Sequence, residues 1–354
     1  MTQTIPRIRA IGTATPAQDI HQAFIDWASL QLPERRDAAI FARMAGRSGI
    51  AHRWSVLAPT PDGGSPVARG GFYAGDTLPA TSARMLLYAQ HAPDLAMAAI
   101  DDLATQSDLT GITHLVVASC TGFVAPGIDQ IIAERLGLPG STERLLIGFM
   151  GCYAAVTALR TARHIVRSEP AARVLVVTVE LSTLHLQPVR ELEPLLAMLH
   201  FGDGAAAALV TGEGAGLALD DSIVTTLPHS HTLIRWAIGD TGFAMHLSGE
   251  VPGRIETALR TPEMRDTLTG GDMIDAWAIH GGGRTILDAV AHGLDLAENA
   301  LAASRATLNE CGNMSSATLM FTLARTFPDK PERGVALAFG PGLAAEGFRF
   351  GWAE

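Results

Sequence analysis

Short apolar, β-branched runs alternate along this chain with alanine-rich stretches of helical character, and glycine marks most of the places where one gives way to the other. The runs fall at Thr113 to Ala118, Ala172 to Val179, Gly204 to Val210, Met273 to Ile279 and Val335 to Phe339, with helical stretches at Ile128 to Leu136 and Arg284 to Leu294. A continuous apolar run fits a strand buried on both faces, and such strands need helices to cover them. The rhythm predicts an α/β protein layered around buried sheets. Glycine-rich turns punctuate it at Gly148-Phe149-Met150-Gly151, Gly202-Asp203-Gly204, Gly281-Gly282-Gly283 and Gly340-Pro341-Gly342.

The stretch from Cys152 to Val166 is apolar on most of its circumference, with Ala154, Ala155, Ala158 and Ala162 spaced for close packing, so it is expected inside the molecule. A second stretch of similar character follows Asn313. Together they suggest an internal duplication, with halves 1–212 and 213–354 meeting at the turn Gly212 to Gly216. His21 to Arg53 reads as an N-terminal helical addition. Pro59 to Gly71 reads as loop, its three prolines and four glycines breaking any regular element.

Charge and composition narrow the function classes. Lys plus Arg number 26 against 36 Asp plus Glu, a net charge of −10, and no basic run could track a phosphate backbone, which argues against nucleic acid as a partner. No apolar run reaches the ~18 residues of a spanning helix, and Met1 to Ile11 lacks the apolar region of a signal peptide. A cytoplasmic chain without stable membrane insertion is expected. Its three cysteines, Cys120, Cys152 and Cys311, fit neither a disulfide framework nor a zinc site.

Cys152 follows a glycine turn at the start of a helical stretch, where free N–H groups and the positive helix end would lower a thiol's pKa. His280 ends an apolar run just before three glycines, where an imidazole could meet a substrate or pair with a thiolate. Asn313 lies in a Gly-Asn turn that opens a helix. Taken singly, each has a plain structural reading: core thiol, structural histidine, helix N-cap. Taken together, they supply a nucleophile, a base or ion-pair partner, and an amide donor for an oxyanion. The histidines His229, His231 and His246 have no cysteine or carboxylate at a zinc interval, so no metal is expected.

These residues belong to a series of motifs: Ala10-Ile11-Gly12-Thr13-Ala14-Thr15-Pro16, Ser119-Cys120-Thr121-Gly122-Phe123, Gly151-Cys152, Phe201-Gly202-Asp203-Gly204-Ala205-Ala206, His280-Gly281-Gly282-Gly283, Gly312-Asn313-Met314-Ser315-Ser316 and Phe339-Gly340-Pro341-Gly342. In this order, over nearly the whole chain, they resemble the type III polyketide synthases, the chalcone synthase-like group of thiolase-fold condensing enzymes. The resemblance implies a thiolase-like αβαβα layered fold with two pseudo-duplicated halves, and a homodimer. It implies iterative decarboxylative condensation of malonyl-CoA onto an acyl-CoA starter, with no cofactor beyond the CoA thioesters.

Carried over by motif, Cys152 is the acyl-accepting nucleophile, His280 holds it as thiolate, and His280 with Asn313 binds the malonyl thioester carbonyl. Phe201 matches an aromatic gatekeeper whose usual phenylalanine partner is Met245 here. Arg43 and Arg47 match basic residues that grip CoA phosphates, and Ile40 stands where relatives carry a lysine. Thr121, Ala125 and Ser182 form a small wall expected to open a tunnel for an acyl chain, with Ser315 beside the catalytic asparagine. Trp236 and His185 are bulky where plant enzymes are small and should limit extension. Gly340, Pro341 and Gly342 match the loop at which products cyclise.

A medium- or long-chain acyl starter, two or three condensations, and an alkylpyrone or alkylresorcinol-type product are expected. Cys120 stands where tetrahydroxynaphthalene and phloroglucinol synthases also keep a cysteine, which leaves a malonyl-primed or short-starter enzyme as the alternative. A carrier-protein-dependent ketoacyl synthase would place an Asn soon after the histidine, where this chain has glycines. A non-catalytic scaffold would have a broken Cys-His-Asn set, and here the set is intact.

Overall fold

The computed structural model describes residues 4–75 and 77–354; the first three residues of the Met1 to Ile11 stretch lie outside it. The strands are β1 (Arg7–Ala14), β2 (Gln18–Asp19), β3 (Trp54–Ser55), β4 (His114–Ala118), β5 (Glu143–Ile147), β6 (Arg173–Leu181), β7 (Asp203–Thr211), β8 (Gly216–Thr226), β9 (Ile234–Gly239), β10 (Gly242–Leu247), β11 (Ala276–Ile279), β12 (Gly334–Gly340) and β13 (Ala344–Ala353). The helices are α1 (His21–Gln31), α2 (Arg35–Ala45), α3 (Thr81–Ala104), α4 (Ile128–Arg135), α5 (Ala154–Ser168), α6 (Leu192–Met198), α7 (Val251–Leu259), α8 (Pro262–Thr269), α9 (Arg284–Leu294), α10 (Ala302–Cys311) and α11 (Ser316–Ala324).

Among the described residues one sheet runs in the order β11-β12-β13-β8-β1-β7-β6-β4-β5. It divides naturally into two: β1, β7, β6, β4 and β5 come from the first part of the chain, and β8, β13, β12 and β11 from the second. Only a short contact joins them, Arg7 opposite Ala218 and Ile8 opposite Leu217.

Side-chain alternation along the strands separates three apolar layers. Val174 and Val176 face an inner core that also takes Ala336, Ala338 and Phe348 from the second sheet half and the buried faces of α5 and α11. Leu175, Val177 and Val179, one residue out of phase, face an outer core under α3. Val335, Leu337 and Phe339 face the opposite outer core under α7 and α9. Helix, sheet, helices, sheet, helix is the expected five-layer αβαβα arrangement, and period-2 alternation in doubly buried strands produces it.

Two sequence expectations need correction in detail. The more deeply set central helix is α11, buried from Ser316 through Leu323; α5 is buried at its N-terminal end but turns a partly exposed face, with Arg160 and Arg163, outward further along. The run read from Met273 begins as a strand only at Ala276, because Gly270 and Gly271 turn the chain and leave Met273 87% exposed. The glycine turns also carry different loads. Gly151 has φ +79°, and a Cβ there would fall 2.6 Å from Pro341 Cδ and 2.9 Å from Trp236 Cη2, so only glycine fits.

Candidate active site

Cys152 lies in a single 3₁₀ turn, Gly151–Tyr153, that leads into α5. His280 follows the last residue of β11, and its backbone N–H donates to Leu337 of β12 at 2.8 Å. Asn313 sits in the link from α10 to α11. Its amide donates to the Gly282 carbonyl at 3.2 Å, two residues beyond His280, and its Oδ1 accepts from Ser315 N–H at 2.8 Å. The N-cap of α11 is Ser315, at φ +47°, and not Asn313. The asparagine side chain is thus fixed by the turn it sits in.

All three residues line one cavity of about 780 Å³, within the size range of small-molecule sites. Phe201, Met245, Cys120, Thr121, Ser182, His185, Trp236, Ser315, Gly340 and Pro341 line it too. Ala125 does not: the chain leaves the core after Gly122, which lies flat on the Tyr88 ring, and Ala125 is exposed on the loop beyond. Gly342 also lies outside the lining. Arg43 and Arg47 are exposed on and just after α2, and Met44 between them lines the cavity.

Burial governs the electrostatics. It pushes the Cys152 thiol up to about 12, with Glu180 adding to the rise and hydrogen bonding from Ser315 and Asn313 opposing it. Burial also pulls His280 down to about 3, and neither ring nitrogen has a hydrogen-bond partner. Burial thus works against the acidifying effect expected of the helix end, while Ser315 and Asn313 work with it.

The sequence reading missed Glu180, which is fully buried at the end of β6. Its carboxylate accepts from Cys120 N–H at 3.0 Å, Thr121 Oγ1 at 2.9 Å and Ser316 Oγ at 2.5 Å. Burial raises its pKa to about 7, while these donors favour the charged form. A lone carboxylate inside an otherwise apolar run, RVLVVTVEL, was the available signal. Asp203 plays a comparable structural part, accepting from Val56 N–H, Thr183 N–H and Thr183 Oγ1.

The walls are firmly held. His185 donates from Nε2 to the Thr121 carbonyl at 2.7 Å, accepts at Nδ1 from Phe243 N–H at 3.2 Å, and stacks on the Phe243 ring at 4.1 Å. Burial lowers its pKa to about 4, so it stays neutral. Trp236 and Met245 are cross-strand neighbours on the β9–β10 hairpin, and Phe149 lies 5.7 Å from the Trp236 ring and 5.8 Å from Phe243. Cys120 Sγ accepts from Gly151 N–H at 3.2 Å, which ties it to the nucleophile turn. The lining also includes apolar side chains, among them Phe24, Leu57, Val67, Leu186, Leu192 and Leu196.

A five-layer fold of this kind, with a cysteine ahead of one central helix and histidine and asparagine supplied by the second half, defines a thiolase-type condensing enzyme, an acyltransferase. More narrowly, the chain belongs to the chalcone and stilbene synthase family, the type III polyketide synthases: residues 2–214 match the family's N-terminal domain and residues 218–350 its C-terminal domain. Among curated relatives it is 34% identical over 291 residues to the alpha-pyrone synthesis polyketide synthase-like Pks18 of Mycobacterium tuberculosis, covering 75% of this chain and 72% of that protein. It is 34% identical over 272 residues to 1,3,6,8-tetrahydroxynaphthalene synthase of Streptomyces griseus, covering 74% and 72%. Among solved structures, PKS-I of the brown alga Ectocarpus siliculosus superposes with a TM-score of 0.87 at 28% identity over 99% of both chains. The type III domain of Steely1 from Dictyostelium shares the fold at 24% identity, with a TM-score of 0.87 over 98% of this chain and 99% of that one. Members of the family use malonyl-CoA and acyl-CoA thioesters. Among the described residues no helix is long and apolar enough to cross a membrane.

Proposed function

We propose that the chain loads a medium- or long-chain acyl group from acyl-CoA onto Cys152, extends it two or three times from malonyl-CoA, and releases an alkylpyrone or alkylresorcinol-type product. The carrying observation is one cavity lined by Cys152, His280 and Asn313 together with Phe201 and apolar side chains such as Phe24, Leu57 and Leu186. Cys152 passes its proton to His280, and the thiolate displaces CoA to form an acyl thioester. Malonyl-CoA then loses carbon dioxide. The electron pair of the broken C–C bond becomes an enolate, whose oxygen takes hydrogen bonds from His280 and the Asn313 amide where water is excluded. The enolate carbon attacks the acyl thioester and Cys152 leaves, which frees it for reloading. The two thioesters supply every atom of the product, so no further cofactor is required.

The apolar wall favours an aliphatic starter, and a relative named for alpha-pyrone synthesis is consistent with that product class. A malonyl-primed or short-starter reading is favoured by Cys120 in the lining. Mass spectrometry of products from malonyl-CoA with starters from acetyl-CoA to palmitoyl-CoA separates the two. Pyrones or resorcinols from the longer starters support the proposal; product from malonyl-CoA alone or from acetyl-CoA only would overturn it in favour of the second.

We also propose a homodimer. The edge strand β5 leaves Leu145 and Leu146 exposed, and Phe123 and Phe149, whose rings stack at 4.9 Å, are 49% and 37% exposed. An apolar face beside a free strand edge is a surface that a second subunit would cover.

A further inference from the structure

Arg53 is a cation buried to 1% exposure in the cavity wall; Asp19 accepts from its backbone N–H at 3.2 Å, but among the described residues no acidic side chain bonds its guanidinium. Its Nε donates to His21 Nδ1 at 3.0 Å, and one terminal nitrogen donates to two carbonyls, Met198 at 3.0 Å and Phe201 at 2.8 Å. The other terminal nitrogen is buried without a partner, and the guanidinium carbon lies 4.6 Å over the Phe24 ring. Burial lowers the Arg53 pKa to about 9, which leaves it charged at neutral pH. An incompletely satisfied buried cation is a destabilising choice where bulk alone would serve.

The two carbonyls that Arg53 holds show what it does. Met198 ends α6, and Phe201 is the residue at the cavity's gate. The segment between and after them forms a short parallel bridge with the catalytic asparagine: Asn313 N–H donates to the His200 carbonyl at 2.8 Å, and Gly202 N–H donates to the Asn313 carbonyl at 3.0 Å, with Phe201 opposite Asn313. Gly312 closes the arrangement. At φ +67°, a Cβ on it would fall 2.9 Å from Arg53 Cγ and 2.8 Å from the His200 carbonyl, so arginine, bridge and asparagine turn are packed without slack.

We propose that Arg53 is a positioning residue: by clamping the Met198 and Phe201 carbonyls it sets the register of residues 198–202 against Asn313, and so places the Asn313 amide for the malonyl enolate. This rests on the assignment of Asn313 under the proposed function. Cys152 is outside the clamp, on a turn held by Cys120 and packed against Pro341. Asn313 is one of several groups that act on the Cys152 thiol, so Arg53 bears more strongly on decarboxylation than on acyl loading.

The test separates those half-reactions in wild-type protein, Arg53→Lys and Arg53→Met. Carbon dioxide release from malonyl-CoA measures the first, and the rate of Cys152 acylation by an acyl-CoA, followed by intact mass, measures the second. Misplacing a reacting group by about 1 Å costs on the order of a hundredfold, so Arg53→Met should lose roughly ten- to a hundredfold in carbon dioxide release, with a clearly smaller loss in the rate of acylation. Arg53→Lys, which keeps the charge and loses the fork, should recover part of the loss. His21→Leu frees only Nε and should shift release in the same direction by less, and it decides the matter if the Arg53 variants do not fold. Parallel loss of both half-reactions, or release unchanged in folded variants, would overturn the proposal. A wild-type protein that releases no carbon dioxide would overturn the proposed function and this inference with it.

Discussion

Cys152 and Glu180 lie close enough in the site for the ionised carboxylate to make the thiolate costlier. The ionised Glu180 raises the Cys152 thiol, and burial holds Glu180 itself at about 7, so near neutral pH the carboxylate is part protonated and its effect on the thiol is only partly expressed. Glu180→Gln removes the negative charge at nearly constant size. Iodoacetamide alkylation of Cys152 in this variant should reach its half-maximal rate at lower pH than in wild type; an unchanged profile would mean that Glu180 is not felt at the sulphur. The three residues of the Cys-His-Asn set were legible in the sequence because each stands at a glycine-marked end of an element, where backbone geometry limits what can be there. Glu180 was not, because its role comes from donors on β4 and α11 that only the fold brings to it.

At the scale of elements, the β9–β10 hairpin and the Gly151 turn shape the extension side of the cavity. Trp236→Gly should open that side and give products with more malonyl units by mass spectrometry, whereas an unchanged product profile would remove Trp236 from the size-setting wall. Gly151→Ala should cost more than about 1 kcal/mol in urea unfolding, since alanine is strained at φ +79° and its Cβ meets Pro341 and Trp236. The strands read from apolar runs, β4, β6, β7, β11 and β12, are those buried on both faces, which write an uninterrupted pattern. β8 and β13 lay hidden because β8 carries the exposed pair Asp220 and Asp221, and β13 is broken by Gly347 and Gly351. α3 was missed with Pro93 in its interior, a residue that usually ends a helix. The loop position of Ala125 was unreadable for another reason: a motif fixes the order of residues but not which of them the chain carries out of the core.

For the whole molecule, buried imidazoles set the acid side of stability. His21, His185 and His280 fall to about 4, 4 and 3 in the folded chain from 6.5, so below pH 6.5 the unfolded chain binds their protons first and stability is lost as pH falls. Glu180 and Asp203, raised to about 7 and 6, act in the opposite sense, contributing stability that is lost as pH rises through those values. His200 and His164 are lowered too and add to the uptake, while Asp220 is raised and opposes it; the imidazoles outnumber the carboxyls, so stability should fall between about pH 6 and 5. A urea midpoint that is lower at pH 5 than at pH 6 is expected; a flat or rising one would contradict the assignment. The β5 face makes a second prediction at this scale. Light scattering should give twice the chain mass, and Leu146→Glu should shift it towards the monomer; an unshifted dimer would place the interface elsewhere.

Two cavity thiols compete for the role of acyl acceptor, and locating the acyl group tests the chemistry most directly. Wild-type protein, Cys152→Ala and Cys120→Ala are each incubated with an acyl-CoA, quenched in acid, and mapped by peptide mass spectrometry. The expected result is one acyl adduct on the peptide that carries Cys152, kept in Cys120→Ala and absent in Cys152→Ala. An adduct on Cys120, or none on either thiol, would contradict the assignment of Cys152 as the nucleophile.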